Sequence, residues 1–136
     1  MNIFTLLTPK NELVYEFEDA TIRQLIEKMT YYGYTTLPVL NRDGSFFQTI
    51  SEGDLLRKIV SSGLNLDSIE KIRVRDIPIK RNYQCLDITA TFDDVYRLST
   101  SQNFIPLVDD QGIFIGIIRR ASVVSYLKQE YEKYVQ

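Results

Sequence analysis

The sequence predicts an α/β protein in which a β-α-β-β-α unit occurs twice. The stretch LPVLNRDGSFFQTISEGDLLRKI, from Leu37 to Ile59, returns as IPLVDDQGIFIGIIRRASVVSYL, from Ile105 to Leu127. Pro106 lies 68 residues after Pro38, and the turn, second strand and helix that follow keep this offset without a gap. A constant offset through three elements indicates a duplicated supersecondary unit. Alternating strand and helix periodicity within each copy completes the prediction.

Composition excludes several classes of protein. The 136 residues, 44% hydrophobic and 25% charged, are typical of a globular chain with one domain or two small halves. The net charge of −2 argues against nucleic acid and anionic membranes as partners. No apolar run reaches 18 residues, and the N-terminal segment lacks a signal-peptide pattern. The one cysteine, Cys85, cannot form an internal disulfide, which predicts a cytoplasmic location.

The first copy begins after an N-terminal lead-in. A short strand is expected near Leu13–Phe17, followed by a capping box at Thr21-Ile22-Arg23-Gln24. Apolar residues at helical spacing predict a helix to about Tyr32, and Gly33 is placed to end it in a left-handed conformation.

Two strands and a second helix complete this copy. The strands are predicted at Leu37–Leu40 and Phe46–Ile50, on either side of a turn in which Gly44 supplies a positive φ. The helix is predicted from about Glu52 to Ser62.

The second copy follows the same plan. An irregular strand near Tyr83–Ile88 precedes a capping box at Thr91-Phe92-Asp93-Asp94 and a helix. Strands are predicted at Ile105–Val108 and Ile113–Ile118, and the last helix runs from Arg120 to near Tyr134.

These elements predict three parts of the chain. Residues 1–64 hold the first motif with its lead-in, residues 65–82 connect the copies, and residues 83–136 hold the second motif with its C-terminal helix. The connection is expected to contain a short helix before Pro78. Each half is too thin to bury its sheet alone, so we expect the two pseudo-symmetric motifs to pack as one intramolecular pair.

The junction of strand and helix at Ser51-Glu52-Gly53-Asp54 is the best candidate for a functional site. Ser51 and Asp54 also have the spacing of a capping box, which stabilises a helix start without any ligand. Spacing alone therefore leaves both roles open.

The repeated pattern is similar to a known family. A helix, then [IL]-P-[VL]-[VL], a turn with glycine, a strand and [ST]-x-x-D-[IL] resembles the cystathionine-β-synthase (CBS) domain, and two in tandem resemble a CBS pair, or Bateman module. The segments LTPKNELVYEFEDATIRQLIEKM and TISEGDLLRKI resemble small stand-alone CBS-pair proteins of Gram-positive bacteria.

The resemblance implies a regulatory module that binds an adenosyl ligand in the cleft between its motifs. The ligand could be AMP, ADP, ATP, a cyclic dinucleotide or an S-adenosyl compound, and no cofactor is required. A homodimer and an unidentified regulated protein are the expected partners. The alternative is a ligand-free interaction module that serves only for dimerisation.

The resemblance also implies site residues. The family's hydroxyl and carboxylate positions, which contact phosphate and ribose, correspond to Ser51 and Asp54. A hydroxyl and N–H groups at a helix start suit a phosphate, and a carboxylate accepts hydrogen bonds from ribose. Base contacts are expected from Gln84, Gln102 and Asn103, although polar residues at strand ends are commonly just solvated.

The second copy departs from this pattern. Its hydroxyl position is Arg119 and its carboxylate position is Ser122, so ribose recognition there is doubtful. We expect a weakened or empty second cleft that would also involve residues of the first copy: Val14, Tyr34 and Thr35. Arg119 either reaches a phosphate or forms an exposed surface pair with Arg120.

Catalytic chemistry is not expected. The chain has no histidine, which removes the usual general base and the commonest metal ligand. Cys85 lacks an activating partner of this kind and is predicted to be a buried small apolar residue. The sequence predicts no catalytic residue and no metal site.

Overall fold

The computed structural model describes residues 1–63 and 65–135. They divide into two compact units, one spanning Val14–Asn82 and the other combining Met1–Leu13 with the chain from Tyr83 onward. Each unit combines a sheet with helices, which confirms the predicted α/β fold with two repeated motifs.

Seven strands and five helices are defined within the described residues. The strands are β1 (Leu7–Pro9), β2 (Glu16–Phe17), β3 (Thr36–Leu40), β4 (Phe46–Ser51), β5 (Leu86–Asp87), β6 (Phe104–Val108) and β7 (Phe114–Arg119). The helices are α1 (Ile22–Tyr32), α2 (Glu52–Ser61), α3 (Leu66–Lys71), α4 (Phe92–Ser99) and α5 (Arg120–Tyr134). Short 3₁₀ turns occupy Ile3–Leu6, Lys10–Glu12 and Val74–Asp76.

The unit of residues 14–82 is built on the sheet β2-β3-β4. Strand β2 is parallel to β3, and β3 is antiparallel to β4. The predicted capping box begins α1, with reciprocal hydrogen bonds between Thr21 and Gln24, and Gly33 ends it at φ 73°. The predicted apolar face is buried at Ile22, Leu25 and Met29, where it packs on the sheet.

The predicted connection belongs to this same unit. Helix α3 and the following 3₁₀ turn lie before Pro78, as expected for a short helix there. The N–H of Val74 donates to the carbonyl of Ala20 (2.8 Å), and Val74 and Ile77 are buried in the core. The segment is therefore packed structure rather than a loose linker. The predicted boundaries at residues 64 and 136 fall outside the described residues.

The other unit is built on the four-stranded sheet β1-β7-β6-β5. Strand β1 is antiparallel to β7, with Leu7 opposite Ile118 and Pro9 opposite Gly116. The sequence pattern groups the lead-in with the first motif, but the structure places it in the unit of the second. The reason is that β7 has an edge available for pairing, and Gly116 lets the backbone of β1 approach closely.

The two sheets repeat the same irregularity, which supports the duplication. The strand register shifts between Val39 and Leu40 in one sheet and between Leu107 and Val108 in the other. The adjoining turns place Gly44 at φ 94° and Gly112 at φ 81°. Among the described residues, no helix is long and apolar enough to cross a bilayer.

Candidate functional site

The predicted junction at the end of β4 forms a capping box. The Asp54 N–H donates to Ser51 Oγ (3.2 Å), while the Ser51 N–H and hydroxyl donate to Asp54 Oδ2 (3.1 and 2.9 Å). These bonds satisfy polar groups that the start of α2 would otherwise leave without partners. The capping interpretation is thus confirmed, and ligand contact by the same two residues stays a prediction.

The other oxygen of Asp54 accepts two more hydrogen bonds. Arg57 Nη2 donates to Oδ1 at 2.6 Å, and the backbone N–H of Lys80 donates to it at 3.2 Å. A carboxylate offers about four acceptor positions, so its capacity is filled. Burial acts to raise the pKa of Asp54, but the hydrogen bonds from Lys80, Ser51 and Arg57 outweigh it and lower the pKa.

A second capping box in the chain shows what is unusual about the first. Thr91 and Asp94 form the same reciprocal bonds at the start of α4, and Arg97 follows Asp94 at the spacing that separates Arg57 from Asp54. The Asp94 side chain is 40% exposed, and Arg97 Nη2 lies 3.7 Å from Asp94 Oδ1. The Asp54 side chain is only 6% exposed. Capping therefore does not by itself require the burial found at Asp54.

Arg57 is a candidate site residue that sequence reasoning missed. Its guanidinium lies along the first turn of α2, where a Cβ built on Gly53 would be 3.3 Å from Nη1. The Arg57 side chain remains 53% exposed. This places a planar cation at the positive end of a helix dipole, an arrangement able to attract an anion. The signal in the sequence was the acid–base spacing of Asp54 and Arg57 on a helix.

The predicted base-contacting residues lie in the other unit, and two of them bond to each other. Gln102 is only 4% exposed. Its Oε1 accepts the Gln84 N–H (2.8 Å), and its Nε2 donates to the carbonyls of Gln84 and Phe104 (both 3.1 Å). The Gln102 amide thus holds the backbone just before β5 and at the first residue of β6. Gln84 and Asn103 are exposed.

The residues predicted for the weaker site have varied surroundings. Val14 and Tyr34 pack partly against the core of the 14–82 unit, and the Thr35 carbonyl accepts the Glu52 N–H (2.9 Å). In the other unit, Ser122 lines an open groove of about 450 Å³ beside the N-terminal 3₁₀ turn. Arg119 precedes α5 without a side-chain cap.

The alternative of an exposed pair at Arg119 and Arg120 is wrong. Both residues are half-buried. Arg120 Nε donates to the carbonyls of Ser99 (2.8 Å) and Gln102 (3.1 Å), and so fixes the end of α4 to the start of α5. The sequence could not show this, because both acceptors are backbone atoms about twenty residues away.

The prediction for Cys85 is also wrong, because the residue is exposed. It lies just before β5, a strand of two residues that has no long apolar face to draw it inward. Among residues 1–63 and 65–135, no group of three or more histidine, cysteine, aspartate or glutamate side chains is placed to hold a metal.

The duplicated architecture can now be compared with known families. The CBS domain model matches twice, at residues 6–61 and 74–129. The chain belongs to the CBS domain family. Residue 74 lies 68 positions after residue 6, and residue 129 lies 68 after residue 61, the offset already seen in the repeat. Proteins built on a CBS pair are typically regulatory rather than catalytic.

Two relatives differ greatly in length. An uncharacterized protein of Methanocaldococcus jannaschii is 28% identical over 141 residues, covering 82% of this chain and 83% of the relative. The A-adding tRNA nucleotidyltransferase of Aquifex aeolicus is 25% identical over 118 residues. That match covers 85% of this chain but 13% of the enzyme, so the likeness concerns a small part of it.

Solved structures share the fold over nearly the whole chain. A CBS domain protein from Streptococcus pneumoniae has a TM-score of 0.86 and 23% identity, covering 94% of this chain and 87% of its own. The CbpB protein of Listeria monocytogenes, in complex with c-di-AMP, has a TM-score of 0.86, 16% identity and full coverage of both chains. CBSX2 in complex with AMP has a TM-score of 0.73 and 23% identity, covering 96% and 98%.

Proposed function

We propose that this protein is a regulatory CBS pair that binds an adenine nucleotide at the start of α2. The main observation in support is the cluster of Ser51, Asp54 and Arg57 at that helix start. The family resemblance assigns the phosphate contact to Ser51 and the ribose contact to Asp54. The complexes of CbpB with c-di-AMP and of CBSX2 with AMP support this ligand class.

The phosphate would approach the first turn of α2. Arg57 offers a planar donor group suited to two phosphate oxygens, and the helix dipole adds attraction of roughly 0.3–1 kcal/mol. Gly53 has no side chain, which leaves room for the Arg57 guanidinium beside the first turn of α2. Ser51 contributes its hydroxyl, which already lies at the helix start.

The ribose would bind Asp54 by exchange with a donor already present. All the acceptor positions of Asp54 are filled, so each hydroxyl that binds displaces a hydrogen bond of the protein. The ribose contact then contributes to the binding free energy only the difference between the bond formed and the bond lost, about 0.5–1.5 kcal/mol. The phosphate must consequently supply much of the affinity, which favours ligands with a phosphate over adenosine.

The remaining predicted contacts follow from the family resemblance. We assign the base contacts to the exposed side chains of Gln84 and Asn103, and give Gln102 the role of holding Gln84 in place. Arg119 and Ser122 would belong to a second site. Its affinity would be lower, because neither residue supplies the carboxylate that a ribose requires. Val14, Tyr34 and Thr35 remain predicted contributors to it.

The protein would act by coupling nucleotide binding to the binding of a regulated protein. Ligand binding would alter the affinity for a regulated protein by a coupling free energy of about 1–3 kcal/mol. We expect a non-enzymatic, cytoplasmic homodimer. The exposed apolar side chains of Val124, Leu127 and Tyr131 follow one face of α5 and offer a surface for a second copy.

Calorimetric titration tests this proposal. AMP, ADP, ATP, c-di-AMP and adenosine would be titrated into the wild-type protein, Asp54→Ala and Asp94→Ala. We expect micromolar binding of at least one phosphorylated ligand, an affinity about two- to tenfold lower in Asp54→Ala, and no change in Asp94→Ala. Circular dichroism at the titration temperature confirms that each variant is folded. Equal affinity of all three proteins would refute the assignment of the site.

A ligand-free interaction module is the second candidate function. The specific observation in its favour is that the Ser51–Asp54 box is satisfied entirely within the protein. If the wild-type protein binds none of the five ligands, this second function replaces the first.

A further inference from the structure

Asp54 is bonded to a part of the chain that helix capping does not involve. Its Oδ1 accepts the N–H of Lys80, a residue 26 positions further along. Lys80 lies only three residues before Tyr83, where the chain enters the other unit. The Asp54 carboxylate therefore also restrains residues 80–84, the stretch of chain that joins the two units.

The geometry points to Lys80 as the donor that a ribose displaces. Its bond to Asp54 is 3.2 Å, longer than those from Ser51 (3.1 and 2.9 Å) and Arg57 (2.6 Å). The Ser51 bonds are held in place by the helix start itself. Lys80 is exposed, so its N–H can turn to water once it is released.

We propose that nucleotide binding at Asp54 releases the Lys80 N–H and so loosens the connection between the units. The inference rests on the proposed function and adds how occupancy of that site is transmitted. On the far side of the connection, Gln84 is held at both its N–H and its carbonyl by the Gln102 amide. In the free protein, residues 80–84 are thus held at one end by the Lys80 bond to Asp54 and at the other by the Gln102 bonds to Gln84. The nucleotide breaks the first of these.

Arg57 plays a different part from Lys80 in this exchange. Its side chain is flexible and more than half exposed, so it can follow a phosphate while staying near Asp54. The Lys80 N–H belongs to the backbone, so its release removes a restraint on the chain itself. The backbone donor is therefore the one that transmits the signal.

Hydrogen exchange of the Lys80 amide, followed by NMR on the full ¹⁵N-labelled chain, tests the inference. In the free protein, Asp54→Ala should speed exchange of this amide by about tenfold or more, whereas Asp94→Ala should leave it unchanged. Saturating AMP or c-di-AMP should speed it to a similar extent in the wild-type protein. The nucleotide measurement uses the wild-type chain, so it holds even if Asp54→Ala is poorly folded.

The outcomes separate this inference from the proposed function. Calorimetric binding with unchanged or slower Lys80 exchange overturns the release and leaves nucleotide binding intact. If a folded Asp54→Ala leaves Lys80 exchange unchanged, the restraint itself is refuted, whatever the protein binds. Calorimetric silence with every ligand overturns the proposed function and this inference together.

Discussion

Replacing Asp54 with alanine should destabilise the fold more than the same change at Asp94. The substitution removes the carboxylate that completes the capping box and accepts hydrogen bonds from Arg57 and Lys80. The Ser51 hydroxyl still caps the backbone N–H at position 54, so the loss comes from the hydrogen bonds to the carboxylate, each contributing about 1.5–3 kcal/mol. Removing a buried charge recovers part of this, so we expect a net loss of about 2–4 kcal/mol.

The matched control is Asp94→Ala, which removes a carboxylate with the same local bonds to Thr91. Its side chain is 40% exposed, so water replaces those bonds more readily and the loss should be smaller. Urea unfolding followed by circular dichroism measures both, with a midpoint lowered by about 1–2 M for Asp54→Ala. An equal or greater loss in Asp94→Ala would show that the capping box alone accounts for the stabilisation.

The remaining predictions concern pH, packing and assembly. Because the folded protein holds the pKa of Asp54 below 3.8, its stabilising effect is complete above about pH 4 and is lost as the pH falls through the folded pKa. Urea unfolding at pH 7 and pH 3 should therefore show a smaller difference between wild type and Asp54→Ala in acid; a constant difference contradicts this. Gly116→Ala should lower stability by about 2–4 kcal/mol, since its Cβ would clash with the Thr8 carbonyl oxygen. Gly53→Ala is the control, because its Cβ would come nearest to the movable end of the Arg57 side chain, at 3.3 Å; equal losses in thermal unfolding of the two variants would refute the clash. Leu127→Glu should convert the predicted homodimer to a monomer in sedimentation experiments, and a wild-type monomer would rule out that assembly.

Much of the local structure could be predicted because its causes lie close together in the chain. The capping boxes at Thr21 and Thr91 and the positive φ at Gly33, Gly44 and Gly112 depend on residues within one turn of each other. The duplication was equally visible, because a repeat preserves spacing even where residue identity changes.

The candidate site was predictable only in part. Ser51-x-x-Asp54-x-x-Arg57 and Thr91-x-x-Asp94-x-x-Arg97 have the same spacing and nearly the same chemistry, and both form capping boxes. What distinguishes Asp54 is its burial and its bond to Lys80, which depend on how the segment before residue 82 folds back. The local spacing of Ser51, Asp54 and Arg57 contains no information about where the segment with Lys80 will lie.

Other differences have the same origin. The pairing of Leu7–Pro9 with β7 joins segments more than 100 residues apart, as the register of Leu7 opposite Ile118 shows. The engagement of Gln102 depends on backbone atoms of Gln84, whose position no side-chain pattern encodes. The exposure of Cys85 likewise follows from the shortness of β5.

The sequence by itself determined the repeated α/β plan, the helix starts and the position of the candidate site. These follow from periodicity, turn residues and capping, which act over a few residues. Tertiary structure alone decided which of two equivalent carboxylates is buried and which distant N–H it holds. A hydrogen bond between Asp54 and Lys80 exists only once the intervening chain has packed onto the core, and that packing depends on the whole unit rather than on any local pattern.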